Sequence, residues 1–197
     1  MQRFNQTIKS KTQRAILTAA LELFTEQGYF NTTVHHIQAR AGVSIGSIYH
    51  HFGSKETIAQ ALYDTLLEHM NQQVEHIANQ QSPHQARFAR LIELLFTQAE
   101  QEPMTMRFIL NARHQEFLPE STPICSAAPF GRMRDLVVEA MAAGEIRTME
   151  PWVAAAQLFG GALRLIHLHL DNVLGQPLTP LAEETFSTAW RGVCVTP

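Results

Sequence analysis

At 197 residues the chain can bury a sizeable core, either as one domain or as a small domain beside a larger one. A formal charge of -3 argues against a surface that binds nucleic acid throughout. The two cysteines, Cys125 and Cys194, are far apart and match no metal-ligand spacing, which makes a reducing cytosol the simplest setting.

The charge is unevenly placed. Residues 1–55 carry six Lys/Arg (Arg3, Lys9, Lys11, Arg14, Arg40, Lys55) against two acids (Glu22, Glu26), and the remainder is correspondingly acidic. A basic amino end on an acidic body is the footprint of a local phosphate-binding surface. The same basic residues interrupt any signal peptide, and no uncharged apolar run reaches membrane-spanning length, so a cytoplasmic protein with no membrane partner is expected.

Residues 1–9 read as a polar arm. From about Ser10 to Gln27, Ile16, Ala20, Leu23 and Phe24 recur at helical spacing, and Gly28 ends the helix. Tyr29 and Phe30 read as packing residues over the core of the next two helices. Thr33 can cap a short helix whose apolar face is Val34, Ile37 and Ala41, and Gly42 gives the next turn its freedom. Ser44 caps a second helix of about two turns, with Ile48 and Phe52 on its inner side. Ser47, Tyr49 and His50 face outward, with Ile45 and Gly46 at the start. Two short helices joined this way form a helix-turn-helix, and the outward face of the second suits the major groove.

Ser54 caps the next helix, and Glu56 suits its positive amino end. Lys55 sits where that dipole disfavours a cation; position alone allows either a solvated lysine or one beside a DNA phosphate. The helix runs to about Gln80 with Ile58, Leu62, Leu66, Met70, Val74 and Ile77 as its buried row, until Ser82-Pro83 breaks it. Further helices are expected at about His84–Gln101, Pro103–His114, Ala127–Ala143, Glu150–Leu174 and Pro180–Gly192, with a three-proline loop over 117–129.

The run V-S-I-G-S-I-Y-H-H-F-G-S-K-E resembles the DNA-binding segment of the TetR family of bacterial repressors, over roughly residues 10–60. That resemblance implies an all-α protein: a three-helix helix-turn-helix domain over 1–53, and a larger helical ligand-binding and dimerisation domain over 54–197. It implies operator contacts from Thr33, Ser44, Ile45, Gly46, Ser47, Tyr49, His50, His51 and Lys55. Tyr49, His50 and Lys55 are expected on phosphates, and Ser44, Ile45 and Ser47 nearest base edges. It favours the phosphate role for Lys55. It further implies a homodimer through the last two helices, centred on Phe159, Gly160, Leu163, Phe186 and Trp190, although both helices could simply finish the core of one chain.

A small-molecule effector is expected among the middle helices, against Phe88, Leu91, Leu95, Phe96, Met104, Phe108, Asn111, His114, Phe117, Met133, Phe159, Leu163 and His167. Taken singly, each apolar member of that set reads equally as core. The long helix from Ser54 is the expected lever between effector and operator. Neither a metal nor a cofactor is expected, since the ten histidines show no ligand spacing, and no nucleophile elbow or phosphate loop marks an enzyme. The resulting reading is a dimeric repressor released from a palindromic operator by an apolar or amphipathic effector. The alternatives are an all-α enzyme or carrier with a helix-turn-helix-like turn, or a regulator without a small-molecule effector.

Overall fold

The structure, a computed structural model, describes residues 10–195, so the basic residues Arg3 and Lys9 and the expected polar arm lie outside it. Among the described residues there is no strand, only one antiparallel bridge between Ile146 and Cys194, and the all-helical expectation holds. Ten α-helices succeed one another within that range: α1 (Lys11–Glu26), α2 (Val34–Ala41), α3 (Ile45–His51), α4 (Lys55–Ala78), α5 (His84–Gln101), α6 (Pro103–Asn111), α7 (His114–Phe117), α8 (Ala128–Ala142), α9 (Pro151–Leu170) and α10 (Ala182–Arg191).

They form two compact units, each continuous in space but not in sequence. The first takes the chain to Met70 and then Met104–Ala127; the second takes Asn71–Pro103 and then Ala128 onward. This division does not follow the expected 53/54 boundary. The segment 104–127 joins the helix-turn-helix because its rings pack there: Phe108 lies 6.2 Å from Phe24, and Phe117 stacks on Tyr29 at 4.3 Å.

In the first unit α1 buries Ile16, Ala20, Leu21, Leu23 and Phe24 and packs on α2 and α3. Ser10 caps it by accepting from the Gln13 amide. The first sixteen residues of α4 belong here, with Ile58, Leu62 and Leu66 buried and the Tyr63 hydroxyl donating to the Thr122 carbonyl at 2.9 Å. Helix α6 ends at Asn111, short of the expected His114; His114–Phe117 forms a separate helical turn, and the expected loop over 117–129 contains a 3-10 turn at Ile124–Ser126.

The second unit is built on α5, whose Phe88, Leu91, Ile92, Leu95, Phe96 and Ala99 are all buried. A helix apolar on several sides needs neighbours on several sides, and α9 and α10 supply them. Its amino end has no side-chain cap of its own. Glu145 instead accepts from the His84 and Gln85 amides and lies 2.6 Å from His84 Nδ1. Glu100 plays the same part for the 3-10 turn Thr179–Leu181, accepting from the Leu178 and Thr179 amides. Helix α9 is apolar enough by length and composition to cross a membrane, with mean hydropathy 1.2, yet it packs on α5, α8 and α10 and only a third of it is buried.

Phe88 is fully buried, with Phe159 and Trp190 each 6.0 Å from its ring. Phe88→Ala removes a whole ring where the neighbours cannot collapse, so urea unfolding should give a loss of about 3–5 kcal/mol.

Candidate nucleic-acid interface

The helix-turn-helix is assembled from caps. Thr33 Oγ1 accepts from the His36 amide at 3.2 Å while His36 Nδ1 accepts from the Thr33 amide, a reciprocal box closing the start of α2. Histidine in place of the usual Glu or Gln is why the box is not legible in the sequence. At the other end Gly42 is left-handed, φ 64°. Gln38 clamps the turn, its carbonyl accepting from the Gly42 and Val43 amides and its side chain donating to the Val43 carbonyl.

Ser44 then caps α3 as expected, accepting from the Ser47 amide at 3.1 Å. Ile48 is fully buried, whereas Tyr49 is 54% exposed and His50 is exposed beside it. Ile45, Ser47 and His51 are partly covered, and His51 packs 5.1 Å from the His50 ring. At Gly46 an added Cβ would meet only Ser44 Oγ at 3.8 Å, so nothing in the chain itself demands glycine there. Thr33, Ser44, Gly46, Ser47, Tyr49 and His50 therefore stand together at the surface of one motif.

Lys55 is placed differently from its expected phosphate role. Its ammonium turns inward, donating to the Tyr29 and Thr32 carbonyls at 3.1 and 2.9 Å and lying 4.0 Å over the Tyr29 ring. Burial holds its pKa below the usual lysine value, with the charge of Glu56 offsetting part of that. The reason is the loop: residues 29–32 leave carbonyls that no helix satisfies, and a partly buried ammonium meets two of them. Tyr29, read from sequence as a packing residue, is a hub as well. Its hydroxyl donates to Glu56 at 2.9 Å, and burial, with that carboxylate, raises its pKa. No local pattern joins positions 29 and 55, so this tether has no sequence signature. Arg40 is also engaged, by Glu22 and Glu26 at 3.1 and 3.0 Å.

The residues expected to line one effector cavity divide between the two units. Phe108, Asn111 and Phe117 line a cleft of the first unit, with His114 behind Phe108 and Phe117 and Met104 half-buried nearby in sequence. Phe88, Leu91, Leu95, Phe96, Met133 and Phe159 are buried core of the second, where Leu163 and His167 are partly exposed. Of the expected dimer centre, Phe159 and Phe186 lie mostly buried within their own unit, 5% and 8% exposed, because the broad apolar stripes of α9 and α10 face α5. Gly160, Leu163 and Trp190 keep partial exposure.

A two-turn helix held by two others, its outer face small, hydroxyl and aromatic-polar, makes a helix-turn-helix of the kind that suits a DNA groove. Residues 16–62 match the model of the bacterial regulatory proteins of the tetR family. The A-factor receptor protein of Streptomyces griseus is 44% identical over 54 residues, covering 27% of this chain and 20% of that protein. The HTH-type transcriptional regulator HbdR of Aromatoleum is 41% identical over 59 residues, 30% of this chain and 26% of the relative. The chain thus spans about a fifth to a quarter of these relatives' length.

Among solved structures, the fatty acid degradation regulator FadR of Bacillus halodurans aligns over 94% of this chain and 97% of its own, with TM-score 0.81 at 18% identity. FadR of Bacillus subtilis, solved in complex with stearoyl-CoA, aligns over 90% and 97% with TM-score 0.77 at 21% identity. Residues 16–62 are thus similar to the tetR family of bacterial regulatory proteins, and the helical fold over most of the chain is shared with these solved structures.

Among the described residues His114 is the one histidine the fold buries, 5% exposed among Tyr63, Phe108 and Phe117, with Nε2 unpartnered. Burial lowers its pKa to about 4, against a weaker opposing hydrogen bond to the Phe108 backbone. The folded chain therefore holds it neutral, while the unfolded chain takes up a proton near pH 6.5. Its contribution is complete above that value and is lost as pH falls toward 4. In urea titrations from pH 7 to pH 4.5, His114→Phe should show a shallower loss of stability than the parent.

Proposed function

We propose that the chain is a dimeric transcriptional regulator, a cytoplasmic repressor that binds a palindromic operator through α3 and is released by a small apolar or amphipathic effector. The observation that carries the reading is α3 itself, capped by Ser44, anchored by Ile48 and presenting Ser47, Tyr49 and His50, inside the segment that matches the tetR-family model. Ser44, Ile45 and Ser47 read base edges. Tyr49 and His50 hold phosphates, with Thr33 and His51 at the margin, and Gly46 lets the backbone approach closely. The reading is of a binding protein and not an enzyme. For the effector, support comes from the structural relative captured with stearoyl-CoA.

A helix of seven residues offers too few contacts for tight binding, so a second copy on the other half-site is required. The outer faces of α9 and α10 fit that copy. They form a groove of about 630 Å³ bounded by Ala156, Gly160, Gly161, Arg164, Glu184 and Ala189. A side chain at Gly160 or Gly161 would meet nothing within 4 Å in this chain. Two open glycines in mid-helix, each costing about 1 kcal/mol relative to alanine, suit a helix that approaches from outside. Arg164 and Glu184 border the same groove and can pair across a two-fold axis.

A palindrome selected from randomised duplexes should bind with Kd of about 10⁻⁸ M or tighter at physiological salt, at least ~1,000-fold tighter than an unrelated duplex. Equal binding to both would remove the reading. Lys55→Ala should weaken binding to every duplex while leaving the salt slope unchanged, because the ammonium organises the 29–32 loop. A slope reduced by about one unit would return Lys55 to the phosphates.

Sedimentation at micromolar concentration should show a wild-type dimer and a Gly161→Leu monomer of undiminished helicity, with operator affinity lost alongside. A wild-type monomer would rule out the assembly. Phe186→Glu is expected to unfold the second unit instead, since that ring is core.

A further inference from the structure

The cleft of the first unit lies outside the DNA-reading face, where the end of α1 and the Tyr29-Phe30 turn meet α6 and α7. Its volume, about 310 Å³, is at the small end of ligand pockets. Its apolar side is a set of rings. Tyr29 and Phe117 stack at 4.3 Å, and Phe30 stands edge-on to both at 5.3 and 6.5 Å. Phe30 is 66% exposed, a large ring with no cover inside its own unit.

The polar side is two residues on one face of α6. Arg107 and Asn111 are four apart, so their side chains emerge together. Among the described residues neither makes a hydrogen bond or ion pair, although both border the cleft. The other charges at the rim cancel, since Arg113 pairs with Glu116 at 3.0 Å. One unpaired guanidinium is left beside an exposed aromatic surface. Behind the rings His114 Nε2, and in the wall Thr25 Oγ1, are buried polar atoms without partners, so this wall is not closed by its own hydrogen bonds.

We propose that this cleft binds a small aromatic carboxylate, its carboxylate on Arg107 and Asn111 and its ring against Phe30 and Phe117, and that occupancy weakens operator binding through Tyr29. A planar guanidinium and a flat carboxylate match in two parallel hydrogen bonds, and the ring wall takes a planar body in offset or edge-on contact. Tyr29 gives the site its reach. It is stacked on the cleft wall, its carbonyl receives the Lys55 ammonium and its hydroxyl donates to Glu56. The loop it belongs to ends at Thr33, the cap of α2. A ligand that shifts the Phe117–Tyr29 stack thus acts on the start of α4 and on the support of α3. The ligand site stands by itself; the regulatory half rests on the operator-binding reading.

The test uses the full chain, 2-naphthoate and its neutral analogue 2-naphthamide, with Arg107→Gln and Phe30→Ser as variants at exposed or half-exposed positions. Calorimetry without DNA should show one naphthoate per chain, bound about 10- to 100-fold tighter than the amide, as expected when a hydrogen-bonded charge is involved. Arg107→Gln should abolish that preference, and Phe30→Ser should weaken both compounds, with circular dichroism melts confirming that both variants fold. No naphthoate binding, equal binding of acid and amide, or unchanged naphthoate affinity in Arg107→Gln would each overturn the site. In a second arm, saturating naphthoate should weaken operator binding of the wild type at least ~5-fold and leave Arg107→Gln unaffected. Naphthoate binding without that change overturns the coupling. A chain that binds no duplex at all sinks the operator reading and leaves the calorimetric result standing.

Discussion

A helix of seven residues cannot hold itself in water, because nucleation costs more than two turns of hydrogen bonds return. Everything around α3 answers that constraint. Ser44 satisfies an amide at its start, Ile48 fixes it to its neighbours, and Gly53, left-handed at φ 73°, lets the chain turn at once into α4. The helices that support α3 are in turn tied at the 29–32 loop, where Lys55 meets two carbonyls and the Tyr29 ring. Taking an ammonium partly out of water is costly unless its donors are used, and here two are. The tether is short and charge-assisted, so it sets the position of the α2 cap relative to the start of α4 without needing a large core.

Much of this was legible in the sequence, and the reason is that caps and apolar spacing are local. Ser10, Thr33 and Ser44 act at the helix starts their types imply, and the buried row Ile58, Leu62, Leu66, Met70, Val74 follows from periodicity alone. What failed to show was non-local. The spacing of Phe108 and Phe117 marks them as apolar but does not name their neighbours, which turn out to be Phe24 and Tyr29. The family resemblance favours a phosphate beside Lys55, while its carbonyl partners lie more than twenty residues earlier. Phe159 and Phe186 fall on stripes wide enough to face either a second chain or α5, and the pattern within one helix cannot choose between them.

The placement of charge refines the electrostatic argument from composition. Six cations in the first 55 residues suggest a strongly basic surface. Of the four that the structure describes, Arg40 is held between two glutamates, Arg14 is already engaged, and Lys55 turns inward. Lys11, exposed at the start of α1, is left as the outward cation. Among the described residues, the face that α3 presents is therefore close to neutral, built of hydroxyls, an imidazole and a phenol. A surface of that kind gains little from counterion release; in the proposed regulator it would depend instead on shape, on hydrogen bonds to phosphate from neutral donors, and on two copies in register. In the proposed dimer, weak general attraction with strict geometry would leave binding sensitive to small displacements of α3, since among the described residues few outward charges remain to hold a misaligned copy on the duplex. Under that proposal the Tyr29–Lys55 tether is an effective place to act: a shift too small to disturb the fold would still spoil the fit at both half-sites together.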